Sequence, residues 1–173
     1  MALDAAAIHA RLREQFGVAT GPLEGVGTNA FAVVDPARIA EVGAFCRDDE
    51  ALRFDCLSNL SGVDYPKQGH IQIVYHLLSY PLRHVFVLKV NATRDDPVVA
   101  TVSSVWSAAD WQEREVFDLL GVTFTGHPDL RRILMPEDWP GHPLRKDFVE
   151  PLEYHGISTV RESAIIRLES KKK

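Results

Sequence analysis

Cysteine is scarce in this sequence, with only Cys46 and Cys56 among 173 residues. Two cysteines cannot form a disulfide framework, and they cannot supply the four thiolates that an iron–sulfur cluster usually needs. They are not spaced as a Cys-x-x-Cys pair either, so no thiolate zinc site is expected. Low cysteine use is typical of a reduced, cytoplasmic setting.

Long apolar runs are also missing. None approaches the roughly 20 residues that a membrane-spanning helix requires. Residues 1–17 lack the basic start and apolar centre of a signal peptide, and they open directly into a helical pattern. We therefore expect no membrane helix, no signal peptide and no cleaved transit peptide. The length fits one domain with a core of its own.

Several catalytic signatures are absent as well. The sequence has no Gly-x-Ser-x-Gly elbow, no glycine-rich loop after a strand and no His-x-x-x-His pair. A metal site built on His127 and His142 therefore has little support. The same holds for a phosphate site built on the arginine pairs that follow these histidines.

Charge is unevenly distributed along the chain, whose formal net charge is −5. Residues 131–173 contain nine basic and seven acidic residues, a net of +2. Residues 1–130 therefore contain ten basic and 17 acidic residues, a net of −7. An acidic body argues against nucleic-acid binding, and a mildly basic tail suits contact with a partner protein.

The hydrophobic periodicity predicts an α+β fold with a small mixed or antiparallel sheet. Helices are expected after Asp4 and after the Asp35-Pro36 pair, which would cap the second helix. Strands are expected over 30–34, 52–56, 71–78, 84–91 and 98–105, whereas 18–29 and 61–69 are expected to be loop and turn. We divide the chain into an α+β domain, 1–125, and an extended, loop-rich C-terminal segment, 126–173.

A helix is predicted over residues 107–120, with Ser107 as its cap and Gly121 as its end. Glu113 falls on its apolar stripe, where an unpaired charge would be very costly. Arg114 and Asp118 are four residues apart on another face, a spacing at which they can pair with each other. Glu115 lies away from both.

Two interpretations of Glu113 follow from its place on the apolar stripe. In the first, burial raises its pKa and it acts as a general acid or base beside His127. In the second, which we favour, an arginine from residues 131–145 forms a buried ion pair with it. A stand-alone acid–base enzyme therefore remains an alternative hypothesis.

One short sequence motif, called the Gly-His-Pro phrase below, occurs twice after this helix. Gly126-His127-Pro128-Asp129-Leu130-Arg131-Arg132 is followed by Gly141-His142-Pro143-Leu144-Arg145-Lys146. Proline keeps each site out of a helix, and glycine permits a sharp bend. Leucine in each phrase can anchor the loop to an apolar surface. We predict two rigid loops held by ion pairs.

The last residues have no core of their own. Five apolar side chains, Tyr154, Ile157, Ile165, Ile166 and Leu168, are spread among serines, threonines and charges. Such a segment is either disordered or docked on another chain, and we favour docking on a partner.

These residues resemble one known family. Three stretches, taken in order, are similar to the signature of one subunit of respiratory NADH:quinone oxidoreductase (complex I). They are Glu113-Arg114-Glu115-x-x-Asp118-Leu119-Leu120-Gly121, the first Gly-His-Pro phrase, and Pro143-Leu144-Arg145-Lys146-Asp147-Phe148. The subunit is the thirty-kilodalton one, lettered C. Upstream, Leu60-Ser61-Gly62-Val63-Asp64-Tyr65-Pro66 and the following strand resemble the same family. The similarity runs in order from about Ala30 to Phe148.

The resemblance implies a non-catalytic peripheral-arm subunit on the cytoplasmic side of a bacterial membrane. It implies binding to the large subunit lettered D, which holds the quinone site of the complex and is called the quinone-site subunit below. Through this binding the chain would support electron transfer from NADH to quinone. Flavin and iron–sulfur clusters are then expected in neighbouring subunits, with no cofactor, metal or catalytic residue in this chain. A related membrane-bound hydrogenase-type complex is the alternative assembly.

The resemblance also implies which residues form the partner-interface and structural motif. They are Glu113, Arg114, Glu115, Asp118, Gly121, Gly126, His127, Pro128, Asp129, Arg131, Arg132, His142, Pro143, Leu144, Arg145, Lys146 and Asp147.

Overall fold

A five-stranded mixed sheet forms the centre of the computed structural model, which describes residues 2–160. The sheet has the strand order β1-β2-β5-β4-β3. Strands β2 and β5 are parallel and every other neighbouring pair is antiparallel. The strands are β1 (Thr20–Glu24), β2 (Phe31–Val34), β3 (Cys56–Tyr65), β4 (His70–Ser79) and β5 (His84–Thr93). The predicted α+β fold is confirmed.

Helix α1 (Ala5–Phe16) confirms the first predicted helix. The Asp4 side chain accepts a hydrogen bond from the Ala7 amide, and Gly17 ends the helix with φ of 56°. The prediction that 18–29 is a loop is wrong, because β1 lies within it and pairs with β2. Glycine, proline and a register shift between Thr20 and Leu23 hide this edge strand from a periodicity argument.

Helix α2 (Ile39–Asp48) begins later than the predicted cap at Asp35. The Asp35 carboxylate instead accepts from the Ala37 amide in the preceding turn. The helix buries Ile39, Val42 and Cys46 against the sheet. The second predicted helix is therefore present, but its predicted start is wrong.

Strand β3 differs most from the prediction. It continues through Ser61 and Gly62 to Tyr65, so the predicted turn over 61–69 shrinks to the few residues before β4. Residues 52–55, predicted as strand, form turn and coil even though Leu52 and Phe54 are fully buried. The alternation of burial there comes from packing without strand pairing. Strands β4 and β5 confirm the strands predicted over 71–78 and 84–91, and they pair as an antiparallel hairpin.

Helix α3 (Ala109–Leu120) lies between two short parallel strands, β6 (Val98–Ala100) and β7 (Thr123–Thr125). The strand predicted over 98–105 is thus only three residues long. No side chain caps the start of α3, so the predicted cap at Ser107 is wrong. Gly121 ends the helix in the left-handed conformation, with φ of 74°, as predicted.

From the end of β7 to residue 160 the chain is irregular except for a small antiparallel hairpin, β8 (Glu153–Tyr154) and β9 (Ile157–Ser158). The tail residues Ile165, Ile166 and Leu168 lie outside the described residues. No helix of residues 2–160 is long and apolar enough to cross a membrane. The division of the chain at residue 125 remains a prediction.

Candidate functional site

The site is built on α3, which packs across β3 of the sheet. Gly62 makes this approach possible, because a Cβ there would lie 2.3 Å from Leu120 Cδ1 and 3.1 Å from Val116 Cγ1. The glycine inside β3 is therefore a packing requirement, and it weakened the strand signal in the sequence. Close packing fixes the position of every charged group on α3.

Glu113 lies at the buried face of α3 with no solvent exposure. Its carboxylate accepts hydrogen bonds from the Thr101 hydroxyl, at 2.5 Å, and from the Val102 amide, at 2.7 Å. The arginine partner predicted from 131–145 is wrong, because within residues 2–160 no arginine pairs with Glu113. A turn that precedes the helix holds the carboxylate instead.

Burial sets the protonation of this part of the core. It raises the pKa of Glu113, against the opposing effect of the hydrogen bonds from Thr101 and Val102. Tyr75, fully buried on β4, has its pKa raised well above the usual value by burial and then by the Glu113 charge. The raised pKa of Glu113 agrees with the acid–base interpretation. The complete burial of its side chain does not, because a general acid or base must contact its substrate.

His127 is the only histidine near Glu113 among the described residues, and it is held by two hydrogen bonds. Its Nε2 lies 3.1 Å from the Asp110 carbonyl oxygen, and its Nδ1 accepts from the Asp129 amide at 3.0 Å. Since Nδ1 accepts, the ring carries its proton on Nε2. Nε2 is 4.0 Å from Glu113 Oε2, and both side chains have zero exposure. Neither side chain of this pair is open to solvent.

Asp118 fastens the loop between the two Gly-His-Pro phrases to α3. One carboxylate oxygen, Oδ2, accepts from the amides of Ile133, Leu134 and Met135 at 3.0, 2.7 and 2.9 Å. The other oxygen lies 3.4 Å from Arg132 Nη1. The Arg114–Asp118 pair that helical spacing allows is therefore not formed. The carboxylate compensates backbone donors of an irregular loop.

Arg114 is buried against Trp111 instead. Its guanidinium lies 4.6 Å from the centre of the Trp111 ring, and its Nε donates to the Arg131 carbonyl oxygen at 3.3 Å. Asp129 adds a longer ion pair at 3.9 Å and is also paired with Arg131 at 2.9 Å. Trp111 itself is 64% exposed. The arginine therefore holds an exposed indole in a fixed orientation.

The second Gly-His-Pro phrase covers the C-terminal end of α3. His142 Nδ1 lies 2.9 Å from the Asp118 carbonyl oxygen, the Leu144 amide donates to Leu119 O at 3.0 Å, and Arg145 Nε donates to Leu120 O at 2.7 Å. These carbonyl groups have no partner within the helix. The phrase is thus a helix cap made of distant residues.

A carboxylate on β3 connects this cap to the sheet. Asp64 accepts from Arg94 Nε at 2.7 Å and from the Lys146 amide at 2.8 Å, and Arg94 also reaches Asp147 at 2.6 Å. The Arg94 guanidinium holds the pKa of Asp64 below its usual value. Arg94 carries no sequence signal, because its partners lie 30 and 53 residues away.

The C-terminal hairpin is anchored by Asp138. Its carboxylate accepts from the Tyr154 hydroxyl at 2.6 Å and lies 2.6 Å from His155 Nε2. These two contacts lower the pKa of Asp138, with Tyr154 the larger cause. Beside the hairpin is an open cleft of about 910 Å³ whose apolar walls include Trp139, Leu152, Tyr154, Ile157 and Val160.

The structure brings together most of the motif residues implied by the sequence. Gly126 and Gly141 have φ of 82° and 74°, which only glycine adopts readily. Glu115 is exposed on α3. In residues 2–160, no three histidine, cysteine or acidic side chains are grouped as metal ligands. The sequence pattern did not single out Trp111 or Arg94, and it included Asp64 only within the upstream stretch that resembles the family.

The charged groups around α3 are held mainly by backbone amides and carbonyls, while Trp111, Leu134 and Leu144 remain more than half exposed. Exposed aromatic and aliphatic side chains on a rigid, charged frame are typical of a surface that binds another protein. The fold and the site thus define an α+β protein with a rigid surface suited to binding another protein.

Comparison with known proteins shows which one. Residues 32–154 match the family described as respiratory-chain NADH dehydrogenase, 30 Kd subunit. The chain belongs to this family, and the resemblance to the thirty-kilodalton subunit of NADH:quinone oxidoreductase is confirmed.

Named relatives agree with the family match. The NADH-quinone oxidoreductase subunit lettered C from Roseiflexus sp. (strain RS-1) is 48% identical over 149 residues, 85% of each chain. Its counterpart from Chlorobium phaeobacteroides (strain DSM 266 / SMG 266 / 2430) is 44% identical over 148 residues, 84% of this chain and 89% of its own. For four such relatives the matched share of their own length runs from 61% to 89%.

Two solved structures share the fold. "Nqo5 of the trypsin-resistant fragment (1-134) in P63 form" is 31% identical with a TM-score of 0.60, covering 72% of this chain and 98% of its own. A chain of the membrane-bound sulfane sulfur reductase, an archaeal respiratory membrane complex, is 23% identical with a TM-score of 0.70. It covers 96% of this chain and 89% of its own, and it bears on the fold alone.

Proposed function

We propose that the chain is a non-catalytic peripheral-arm subunit of the proton-translocating NADH:quinone oxidoreductase, on the cytoplasmic side of the bacterial membrane. In this role it clamps the quinone-site subunit and so supports electron transfer from NADH to quinone. Flavin and iron–sulfur clusters belong to neighbouring subunits. Membrane contact occurs only through the complex.

One observation carries this proposal: the exposed Trp111 indole is held in place by the buried Arg114 guanidinium at 4.6 Å. A tryptophan ordered before binding loses little conformational freedom when a partner covers it. Leu134, 59% exposed, lies in the loop that Asp118 fixes to the same helix. Both side chains are therefore presented by rigid backbone, as expected of anchor residues.

The C-terminal segment extends this surface. Val149, Leu152, Ile157 and Val160 are all more than 60% exposed. A two-residue hairpin cannot bury such side chains by itself. Covering them on the quinone-site subunit accounts for the apolar cleft beside Trp139 and agrees with the docking predicted for the tail.

Two alternative functions have weaker support. A hydrogenase-type assembly rests on analogy, since the sulfane sulfur reductase likeness concerns only the fold. A stand-alone enzyme would have to use Glu113 and His127, whose side chains are both fully buried. An isolated chain with a turnover abolished by Glu113→Gln would favour that enzyme over the proposed subunit.

Co-expression with the quinone-site subunit tests the proposal. The wild-type chain should elute with it as a stoichiometric complex, and Trp111→Ala should weaken binding by roughly 30-fold or more, because anchor residues contribute about 2 kcal/mol each. Val26→Ala is the matched control, since Val26 is 86% exposed on a loop remote in sequence from α3. Equal affinity of the two variants, or a wild-type monomer that ignores the quinone-site subunit, would overturn it.

A further inference from the structure

Within residues 2–160, no helix covers the second face of the five-stranded sheet. The buried aliphatic side chains of all three helices belong to the same cluster as Ile73, Tyr75 and Leu88 on one face of the sheet. Residues paired across β2–β5 share a face, and successive residues alternate. The other face therefore lies open within the described part of the chain.

Side chains on this open face are more apolar than a solvated sheet requires. Strands β2, β5 and β4 place six of them next to one another by register. They are Phe31, Val33, Val74, Leu78, Val85 and Val87, and we call them the outer patch. A contiguous apolar patch on a sheet marks an interaction surface more often than a solvated one.

The side chains that β4 and β5 place beside the apolar residues of the outer patch include a lysine and a histidine but no carboxylate. Lys89 lies between Val33 and Val74 in the register, with its Nζ 3.5 Å from the centre of the Phe31 ring. His76 lies opposite Val87. No outward residue of β2–β5 is acidic, although 24 of the 173 residues are. The face has one carboxylate, Glu24, on the edge strand β1.

We propose that the outer patch docks an amphipathic helix of another subunit, with carboxylates that face Lys89 and His76. A helix laid on a sheet is the usual way to cover an apolar face, and it would complete a helix–sheet–helix arrangement. In residues 2–160 no carboxylate pairs with Lys89. The lysine is available to an acidic partner.

Two other occupants fit less well. A second copy of the chain would use the same patch on both sides and would bring Lys89 and His76 against their own equivalents. The chain's own residues 161–173 contain five basic and two acidic residues, a net of +3, so their charge is also wrong. Charge complementarity therefore selects an acidic helix from a different subunit.

Site-specific photo-crosslinking in the assembled complex tests the inference. A benzoylphenylalanine probe replaces Val74 or, separately, Val85, and the linked peptides are identified by mass spectrometry. The expected product joins the probe to a helical segment of another subunit with apolar residues at spacings of three and four and with Asp or Glu beside them. Val18, 95% exposed in the turn after α1, is the control position and should give no specific product.

Charge reversal supplies the second measurement. Lys89→Glu should lower the Val74 crosslink yield by about tenfold, whereas Lys89→Met, which also loses the contact with Phe31, should lower it by less than threefold. Three results would each overturn the inference. They are equal yields for these two variants, a product between two copies of this chain, and the absence of any Val74 product. A further probe at Trp111 reports on the surface proposed for the quinone-site subunit, so failure of one surface is distinguishable from failure of the other.

Discussion

Asp118 and Leu134 are joined by a hydrogen bond of 2.7 Å from the Leu134 amide to carboxylate Oδ2, which also accepts from the two neighbouring amides. Consecutive backbone N–H groups form a concave donor site that suits an anion. Here the protein's own carboxylate fills that site. The loop that carries Leu134 is thereby fixed to α3 without regular secondary structure.

Removal of this carboxylate should be strongly destabilising. Asp118→Ala leaves three amides and Arg132 without their buried acceptor, and we expect a loss of about 3 kcal/mol in the free energy of unfolding. Urea denaturation followed by circular dichroism measures it.

The matched control for this loss is Glu115→Ala, which removes an exposed carboxylate of the same helix and should change stability by less than about 0.5 kcal/mol. A loss from Asp118→Ala no larger than the control would show that the loop does not depend on this carboxylate.

Gly121 has two reasons to be glycine, and a substitution separates them. Its φ is 74°, and a Cβ would lie 2.5 Å from His142 Nε2. Gly121→Ala should therefore cost about 1 kcal/mol for the left-handed backbone and more for displacing the cap. Gly69→Ala, at φ of 70° with no atom within 4 Å of its Cβ, measures the backbone cost alone. Equal losses of thermal stability at both glycines would contradict a role for the His142 contact.

The α3 region shows what helical periodicity could and could not predict. The helical period placed Glu113 on the buried face, because the apolar stripe of a helix can be read from the spacing of nearby residues. It could not name Thr101 and Val102 as partners, since they lie in a turn with no pattern of its own. The pairing of Arg114 with Asp118 failed for a related reason. Irregular loops offered each group a better partner than spacing four did.

The same contrast applies to the sheet. Alternation identified β4 and β5, whose side chains are buried on one face. It missed β1 and the end of β3, where Gly21, Gly62 and a register shift between Leu57 and Asn59 interrupt the pattern. At both glycines another element approaches closely: Val33 of β2 at Gly21, and Val116 and Leu120 of α3 at Gly62. The repeated Gly-His-Pro phrase predicted rigid loops, but not that its two copies contact α3 at different points.

Stability should depend on pH through Glu113. Its pKa in the folded protein is raised above that in the unfolded chain, so its contribution to stability is fully present below the unfolded pKa, about 4.3. That contribution is lost as pH rises through the folded pKa. Relative to Glu113→Gln, the wild-type protein should therefore lose on the order of 1 kcal/mol between pH 4 and pH 8. Urea unfolding of both proteins across this range measures the difference.

Glu115→Gln serves as the control for this dependence, because it removes an exposed carboxylate from the same helix. Because this variant keeps Glu113, it should still lose stability between pH 4 and pH 8. A constant difference between Glu113→Gln and the wild type would show that burial does not perturb the Glu113 carboxylate.

Asp64 should control access to the cap that follows α3. Asp64→Asn weakens the contacts with Arg94 and with the Lys146 amide, so residues 142–148 should detach more often. Trypsin should then cleave after Arg145 or Lys146 roughly tenfold faster than in the wild type, an effect of about 1.4 kcal/mol on opening. Asp138→Asn, which loosens only the C-terminal hairpin, should leave these two sites unchanged. Equal cleavage in all three proteins would show that Asp64 does not hold the cap.

Arg114 should act on partner binding through the orientation of Trp111. Arg114→Met removes the guanidinium stacked on the indole, so the ring must be ordered at the moment of binding, and affinity for the quinone-site subunit should fall about fivefold. Arg131→Met removes a more exposed guanidinium that also pairs with Asp129, at 2.9 Å, and should weaken binding by less than about twofold. Calorimetric titration of each variant with the quinone-site subunit gives both values. If the two variants weaken binding equally, positive charge near Asp129 explains the effect. If only Arg114→Met does so, the ordered indole is the anchor of the interface.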